Sequence, residues 1–257
     1  MISLISDFDG TLYFQNENPH IRMLDRDKIN QLQKHHLFGL CTGRPQMMVD
    51  CLEENGIHCD FFIFSSGAFI LDQNKQIIFE RVIPKILLQK IMDATSSYPA
   101  TVLLGRKNMY AKKIEKEFKF PVQKISHTDE IQEEVIGISV RTENEFQAKN
   151  LCEKLKEQFD VSALQNNKFV DIVAKGCSKG EALKFIKKYL HIQKVGAIGD
   201  SYNDLDMLLE ADQSFTFETS PKQVREVSTH IVNNVAEAID IMMGKCLSEE
   251  KYEPVRL

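Results

Sequence analysis

No stretch of this chain approaches the roughly 20 consecutive apolar residues that a bilayer-spanning helix requires. The longest apolar segments are as short as FFIF at 61–64 and IPKILL at 83–88. The opening MISLISDFDG lacks a basic start and carries two aspartates where a signal peptide would be apolar, so neither a targeting peptide nor a membrane association is expected. Charge of one sign is not concentrated anywhere. The 32 Lys and Arg and 37 Asp and Glu, net charge −5, are scattered along the chain, which leaves no basic footprint for nucleic acid. Cysteine is sparse: residues 41, 51, 59, 152, 177 and 246 form no C-x-x-C pair, and no histidine stands near them at zinc-finger spacing. Reduced thiols and a cytoplasmic location are therefore expected rather than a disulfide framework. Cys41 precedes Thr42-Gly43-Arg44, but no histidine is fixed beside it, so core packing is expected of it rather than nucleophilic work. Low-complexity segments are also missing.

What is present is an ordinary folding chain. Its 257 residues, 43% hydrophobic, suffice for one large domain or two modest ones. Both ends alternate short apolar runs with helical patterns: ISLIS, DRDKINQLQKHH and LFGLCT, then SKGEALKFIKKYL, VGAIG, NDLDMLLEA and SFTF. Strands alternating with helices imply βαβ units and a mainly parallel sheet. Ser178 is expected to cap the helix that carries Glu181, as a capping box.

The middle has another rhythm. After a hairpin through Gln73-Asn74-Lys75 comes the helix-like PKILLQKIMDATSS, then strands ATVLLG and NMYAK; later VIGISVRT precedes the helical ENEFQAKNLCEKLKEQF and the strands VSALQ and KFVDIVA. A helix-hairpin unit used twice suits a small antiparallel sheet with helices on one face. The expected fold class is thus α/β: a Rossmann-like parallel-sheet core from residues 1–82 and 176–257, interrupted by an inserted α+β module over 83–175.

In parallel sheets, ligands bind beyond the carboxyl ends of the strands. Asp7 and Asp9 follow ISLIS, Thr42-Gly43-Arg44 follow LFGLC, Asp200, Asn203 and Asp204 follow VGAIG, and Lys179 starts the helix before that last strand. Several carboxylates in one pocket resist ionising together without a cation. An oxygen-rich cluster suits a hard divalent ion such as Mg²⁺, while Thr42 and the Gly43 N–H can donate to a phosphoryl group. Arg44 can touch substrate or pair with a surface carboxylate, and Asp206 is placed on the solvated face.

The order D-x-D-G-T, T-G-R, a helix-borne lysine and G-D-x-x-N-D resembles the haloacid dehalogenase (HAD) superfamily, and KGCSKGEAL with the inserted module resembles its Cof-type (type IIB) branch of phosphatases. The resemblance implies a HAD-like hydrolase core with a cap that determines substrate specificity. It implies a phosphoric monoester hydrolase that cleaves a small phosphorylated metabolite, a sugar phosphate or similar, through an aspartyl-phosphate. Asp7 would be the nucleophile, Asp9 the acid and base, and Lys179 the cationic partner of Asp7 and the phosphate. Phe8, Thr42, Gly43, Arg44, Lys179 and Asn203 would bind phosphate or substrate. Mg²⁺ would be held by Asp7, the main-chain carbonyl of Asp9, Asp200 and, through water or by orienting Lys179, Asp204. The partner would be a small-molecule phosphate ester, with the protein a monomer or homodimer.

A phosphomutase would retain the phosphoryl group and return it to a sugar, and a phospho-metabolite sensor or switch would bind without turnover. Both remain alternatives. Two loops depart from the Cof-type pattern: Ser66-Gly67-Ala68 stands where Asn-Gly-Ala is usual, and Thr219-Ser220-Pro221 lies where a small-residue loop ending in Asn-Ala is usual. The hairpin tips Gly105-Arg106-Lys107-Asn108 and Gln165-Asn166-Asn167-Lys168 are candidates to meet the leaving group, and the module is expected to act as a lid.

Overall fold

A computed structural model describes residues 1–48, 52, 55–114 and 120–244. Cys51 and Cys246 fall outside them. The first sheet has eight strands in the order β14-β13-β12-β1-β2-β3-β4-β5, formed by His230–Ile231 (β14), Gln213–Thr216 (β13), Lys194–Ile198 (β12), Ile2–Ser6 (β1), Leu37–Cys41 (β2), Phe61–Phe64 (β3), Phe69–Asp72 (β4) and Ile77–Glu80 (β5). All neighbours from β14 to β3 are parallel; β3, β4 and β5 run antiparallel to one another.

The central strands are apolar on both faces because both are covered. Alternate β1 residues face opposite cores: Leu4 packs with Phe38, Leu40 and Ile239, while Ile5 packs with Cys41, Phe61 and Leu183. Such runs are characteristic of parallel strands buried on both sides. Each of these strands therefore ends at one edge of the sheet, where its polar loop emerges.

The second sheet has six strands in the order β10-β11-β9-β6-β7-β8: Val161–Asn166 (β10), Phe169–Ala174 (β11), Val135–Arg141 (β9), Ala100–Gly105 (β6), Met109–Ala111 (β7) and Val122–Lys124 (β8). The helices Lys85–Ala94 and Glu145–Gln158 supply Leu88, Ile91, Leu151 and Leu155 to a core with Leu103, Ile138, Val140, Val170 and Ile172. The intervening residues of the same strands, among them Val102, Ser139 and Asp171, line a cleft instead. That division is the two-residue period of a strand.

One strand differs from the expected antiparallel meander: β8 pairs parallel with β7. Only three residues long, it carries too little alternation to be read from sequence. Around the junctions, the Arg81 N–H donates to the Ala68 carbonyl, whereas the Ile83 N–H donates to Val135 of β9. The Arg81 guanidinium also donates to the Lys175 carbonyl at 3.0 Å, tying the two crossing segments together.

The capping box at Ser178 forms by half. Ser178 Oγ accepts from the Glu181 N–H, but the Glu181 carboxylate pairs with Lys184, one turn along the helix Lys179–Tyr189. The described cysteines, 41, 59, 152 and 177, are buried. Burial pushes the Cys41 thiol far up, so it acts as a core residue, not a nucleophile. Among the described residues no helix is long and apolar enough to cross a membrane.

Candidate active site

Strands β1, β2 and β12 deliver their trailing loops to one place. β1 lies between β2 and β12, so Asp7, Thr42 and Asp200 emerge side by side. After Asp7 the chain reverses: the Tyr13 N–H donates to the Phe8 carbonyl at 2.7 Å, and the Gly10 N–H to the Tyr13 carbonyl at 3.0 Å. Gly10 turns this corner at φ +80°, and a Cβ there would stand 2.7 Å from Asp200 Oδ2. Conformation and close approach therefore both require glycine. Thr11 completes the contact by donating Oγ1 to Asp200 Oδ1 at 2.9 Å.

Lys179 is fully buried at the start of its helix. Its Nζ donates to Asp7 Oδ1 at 2.5 Å and to Asp204 Oδ1 at 2.6 Å. Asp204 is held by the main chain as well: its Oδ2 accepts the N–H groups of Asp200 and Ser201, each at 3.0 Å. Burial opposes charge on Lys179, but Asp204 and then Asp7 outweigh it and hold the ammonium protonated. Asp7 is pushed up by burial and by Asp204 and Asp200, with Lys179 opposing. Asp200 rises to about 6, chiefly through burial and then Asp204.

Asp7, Asp200 and Asp204 each offer an oxygen within 4.8 Å of the others. Three carboxylates against one ammonium leave two negative charges, and the upward push on Asp7 and Asp200 is the physical sign that a cation fits there. Oxygen donors with this charge suit Mg²⁺. Asp7, Asp200 and Asp204 are the three side chains within reach of one ion, and Asp204 also accepts from Lys179 and the main chain.

Asp9 points elsewhere. Arg44 donates Nε to Asp9 Oδ2 at 2.7 Å and Nη2 to Oδ1 at 2.5 Å, a two-pronged pair at the cleft mouth. The Asp9 side chain therefore stands outside the acidic cluster, which leaves only its main-chain carbonyl for a metal. The Phe8 ring is fully buried and stacks on Tyr13 with centroids 4.9 Å apart; only its main chain is left to serve a ligand. Thr42 Oγ1 accepts the Arg44 N–H at 3.1 Å. Asn203 is buried in the turn Tyr202–Asp204 and lines the cleft with Asp7, Asp9, Thr42, Gly43 and Arg44. Asp206 is half-buried and accepts the Met207 N–H.

The cleft has a volume of about 1100 Å³ and runs between the two sheets. Its far wall is apolar at Val102, Leu104, Met109 and Val122, which cluster with Phe120 and Met47. Ser139, Arg141, Asn166, Asn167, Lys168 and Asp171 form its polar side. Of the two hairpin tips, only 165–168 reaches the cleft. Arg106 instead pairs with Glu80, and the Lys107 and Asn108 N–H groups donate to the Glu133 carboxylate. This basic turn, a candidate to meet the leaving group, is thus spent on its own surroundings.

The departing loops have separate outcomes. Ser65 and Ser66 have φ of 46° and 49° and are followed by Gly67 at 96°. Asparagine tolerates the left-handed region better than serine, so Ser66 holds this shape through neighbours: its N–H donates to the Thr42 carbonyl at 3.0 Å and its Oγ to Asp171 at 3.3 Å. The other loop, 217–221, contributes nothing to the cleft lining. There Ser220 Oγ accepts from Thr216 Oγ1, which secures the turn into the helix Lys222–Val227.

This arrangement has close relatives. A family model for haloacid dehalogenase-like hydrolases matches residues 4–239. The chain belongs to that family. It is 25% identical to a phosphoglycolate phosphatase of Sulfurisphaera tokodaii over 97% of this chain and 96% of that one. It is 24% identical to a 5-amino-6-(5-phospho-D-ribitylamino)uracil phosphatase of Bacillus subtilis over 93% and 94% respectively. A haloacid dehalogenase-like hydrolase from B. subtilis superposes with a TM-score of 0.81 at 19% identity, covering 95% of this chain and 99% of that one. A HAD subclass IIB sugar phosphatase gives 0.79 at 19% identity, covering 95% and 98%. These two structures share the fold throughout, including the second sheet, so the Cof-type resemblance of the motifs and the architecture agree.

Thr11 closes the D-x-D-G-T motif, although nothing in the spacing announces its contact with Asp200. One contributor escapes a reading by motifs. Asp171 is a lone acid inside the strand FVDIVA, and that break in an apolar run is its only signal.

Proposed function

We propose that this hydrolase is a Mg²⁺-dependent phosphatase that cleaves a small phosphorylated metabolite through an aspartyl-phosphate on Asp7. The observation that carries the reading is the buried contact of Lys179 with Asp7 and Asp204 beside Asp200, opening onto a cleft large enough for a metabolite. The named phosphatase relatives support the same reaction class.

Lys179 grips one oxygen of Asp7 and fixes its direction, which leaves the second oxygen to attack phosphorus in line with the departing oxygen. The P–O bond to the leaving group breaks as Asp9 gives that oxygen a proton; Asp9 then takes a proton from the water that attacks phosphorus, and Asp7 is released as a carboxylate. For Asp9 to exchange protons, the Arg44 fork has to open. Thr42 Oγ1 and the Gly43 N–H donate to phosphoryl oxygens, with Asn203 beside them, and Lys179 offsets charge on Asp7 throughout. Bound Mg²⁺ would neutralise charge on the phosphoryl oxygens.

In this reading residues 83–175 form the cap, whose contacts to the core include Tyr202 OH donating to Glu145 Oε2 at 3.4 Å. The cap covers the leaving group and excludes water from the phosphoryl site. The test is release of inorganic phosphate from p-nitrophenyl phosphate with Mg²⁺ and with chelator, together with mass spectrometry of Asp9→Asn during turnover. Phosphate release that needs Mg²⁺ and a phosphoryl group trapped on Asp7 are expected. Full activity in chelator, or no modified Asp7 while phosphate is still released, defeats the reading.

A further inference from the structure

The groups used so far come from the first sheet, but one buried carboxylate reaches the same cleft from the second. Asp171, in mid-β11, is 8% exposed and lines the cleft. It sits against the phosphate-binding turn: a Cβ on Gly43 would stand 2.6 Å from its Oδ2. Ser66 Oγ donates to Oδ2 at 3.3 Å and Ser139 Oγ to Oδ1 at 3.4 Å, and the Asn166 side chain contributes a third hydrogen bond. An ionised carboxylate has about four acceptor positions, so three donors leave room for one more. Asp171 and Gly43 line the cleft side by side.

We propose that Asp171 is a specificity-determining residue: it accepts a hydrogen bond from a hydroxyl or ammonium group on the leaving group close to phosphorus. The enzyme therefore takes phosphate esters of polyols or amino alcohols and turns away esters whose leaving group carries a carboxylate there. This rests on the phosphatase reading. The physical reason is that a desolvated carboxylate gains from each added donor and repels a second anion at short range. The elements packed around Asp171 present Gly43, Ser66, Ser139 and Asn166, with Lys179 as a cation across the site and the Cys152 thiol in the helix behind the sheet. Burial pushes Asp171 up to about 6, with Lys179 offsetting part of the effect. The phosphoglycolate activity named for one relative would on this ground not extend to this chain.

The experiment measures kcat/KM with Mg²⁺ for p-nitrophenyl phosphate, ethyl phosphate, 2-hydroxyethyl phosphate, phosphoethanolamine and phosphoglycolate, in the parent and in Asp171→Asn. The parent is expected to favour 2-hydroxyethyl phosphate and phosphoethanolamine over ethyl phosphate by roughly tenfold or more, the scale of one hydrogen bond to a charged group, with phosphoglycolate last. Asp171→Asn keeps the volume but removes the charge, and the phosphoethanolamine to phosphoglycolate ratio should fall at least about tenfold. The parent's ranking tests the proposal even if the variant does not fold. Phosphoglycolate ahead of ethyl phosphate in the parent, or a ratio unmoved in a folded variant, overturns it while leaving the phosphatase reading intact. Release of phosphate from none of the five esters overturns both.

Discussion

At the carboxyl ends of β1 and β12, charged groups are closed in on one another: Lys179 is fully buried between Asp7 and Asp204, and Asp204 spends its other oxygen on two main-chain N–H groups. On the cleft face of β6, β9 and β11, Ser139, Arg141 and Asp171 stand beside Val102, Leu104 and Phe169 along a wall open to a large cavity. The first region resists loss of its cation, because removing Lys179 strands two buried carboxylates. The second faces the cavity, so a change there reshapes the wall that a ligand meets. Chemistry that must be the same for every substrate belongs in the first setting, and selection among leaving groups in the second.

The sharpest way to break this comparison is at Asp7. Asp7→Asn should lower kcat by at least about a thousandfold, because an amide of the same size is a far poorer nucleophile. Its melting temperature should not fall, since the lost carboxylate was one that burial disfavours. Activity within about tenfold of the parent by phosphate release would remove Asp7 from the chemistry.

Stability should separate the regions next. Lys179→Met leaves Asp7 and Asp204 buried without their cation and should cost about 3–5 kcal/mol in denaturant unfolding. Arg106→Ala, which deletes the partly exposed pair between the β6–β7 turn and Glu80 at the end of β5, should cost no more than about 1 kcal/mol. Equal costs would mean that the buried network is no more tightly bound than a surface pair.

Mg²⁺ should act through the first region alone, and with a definite pH sign. Asp200 rises from an ordinary 3.8 to about 6, through burial first and then Asp204. Its contribution to stability is therefore present at low pH and is lost as pH rises through about 6. A bound cation relieves that loss, so saturating Mg²⁺ should raise stability by about 2–3 kcal/mol at a hundredfold excess over its Kd near pH 7.5, and much less near pH 5. Thermal unfolding with Mg²⁺ and with chelator at both pH values checks this; a gain that grows on acidification would place the ion elsewhere.

The smallest effect is expected on the cleft wall. Phe169 lines the cleft and is 36% exposed, so Phe169→Ala should leave stability nearly unchanged. It should lower kcat/KM for an aromatic phosphate ester by about three- to tenfold, through KM rather than kcat. A fall in kcat alone would make this wall part of the chemistry.

Most of the first region is legible in the amino-acid sequence. Apolar runs followed by Asp7 and Asp9, by Thr42-Gly43-Arg44 and by Asp200-Ser-Tyr-Asn203-Asp204 mark strand ends, and parallel topology brings such ends to one edge. The second region is legible as helices and hairpins but not as a surface. Whether a hairpin tip faces a cleft depends on how its sheet is mounted: the 165–168 tip reaches it, while Arg106 turns to Glu80. The parallel strand β8 is too short to carry a pattern.

The order of motifs along the chain was therefore enough to determine the parallel sheet, the acidic cluster and the lysine that serves it, because alternation and strand-end position are properties of local sequence. Only the tertiary structure decided that Asp9 is held by Arg44, that Lys179 reaches Asp204, and that Asp171 leans over Gly43. Those are contacts between residues separated by 35 positions for Asp9 and Arg44 and by 25 for Lys179 and Asp204. Such pairings are set by the distance between packed elements, which no local pattern encodes.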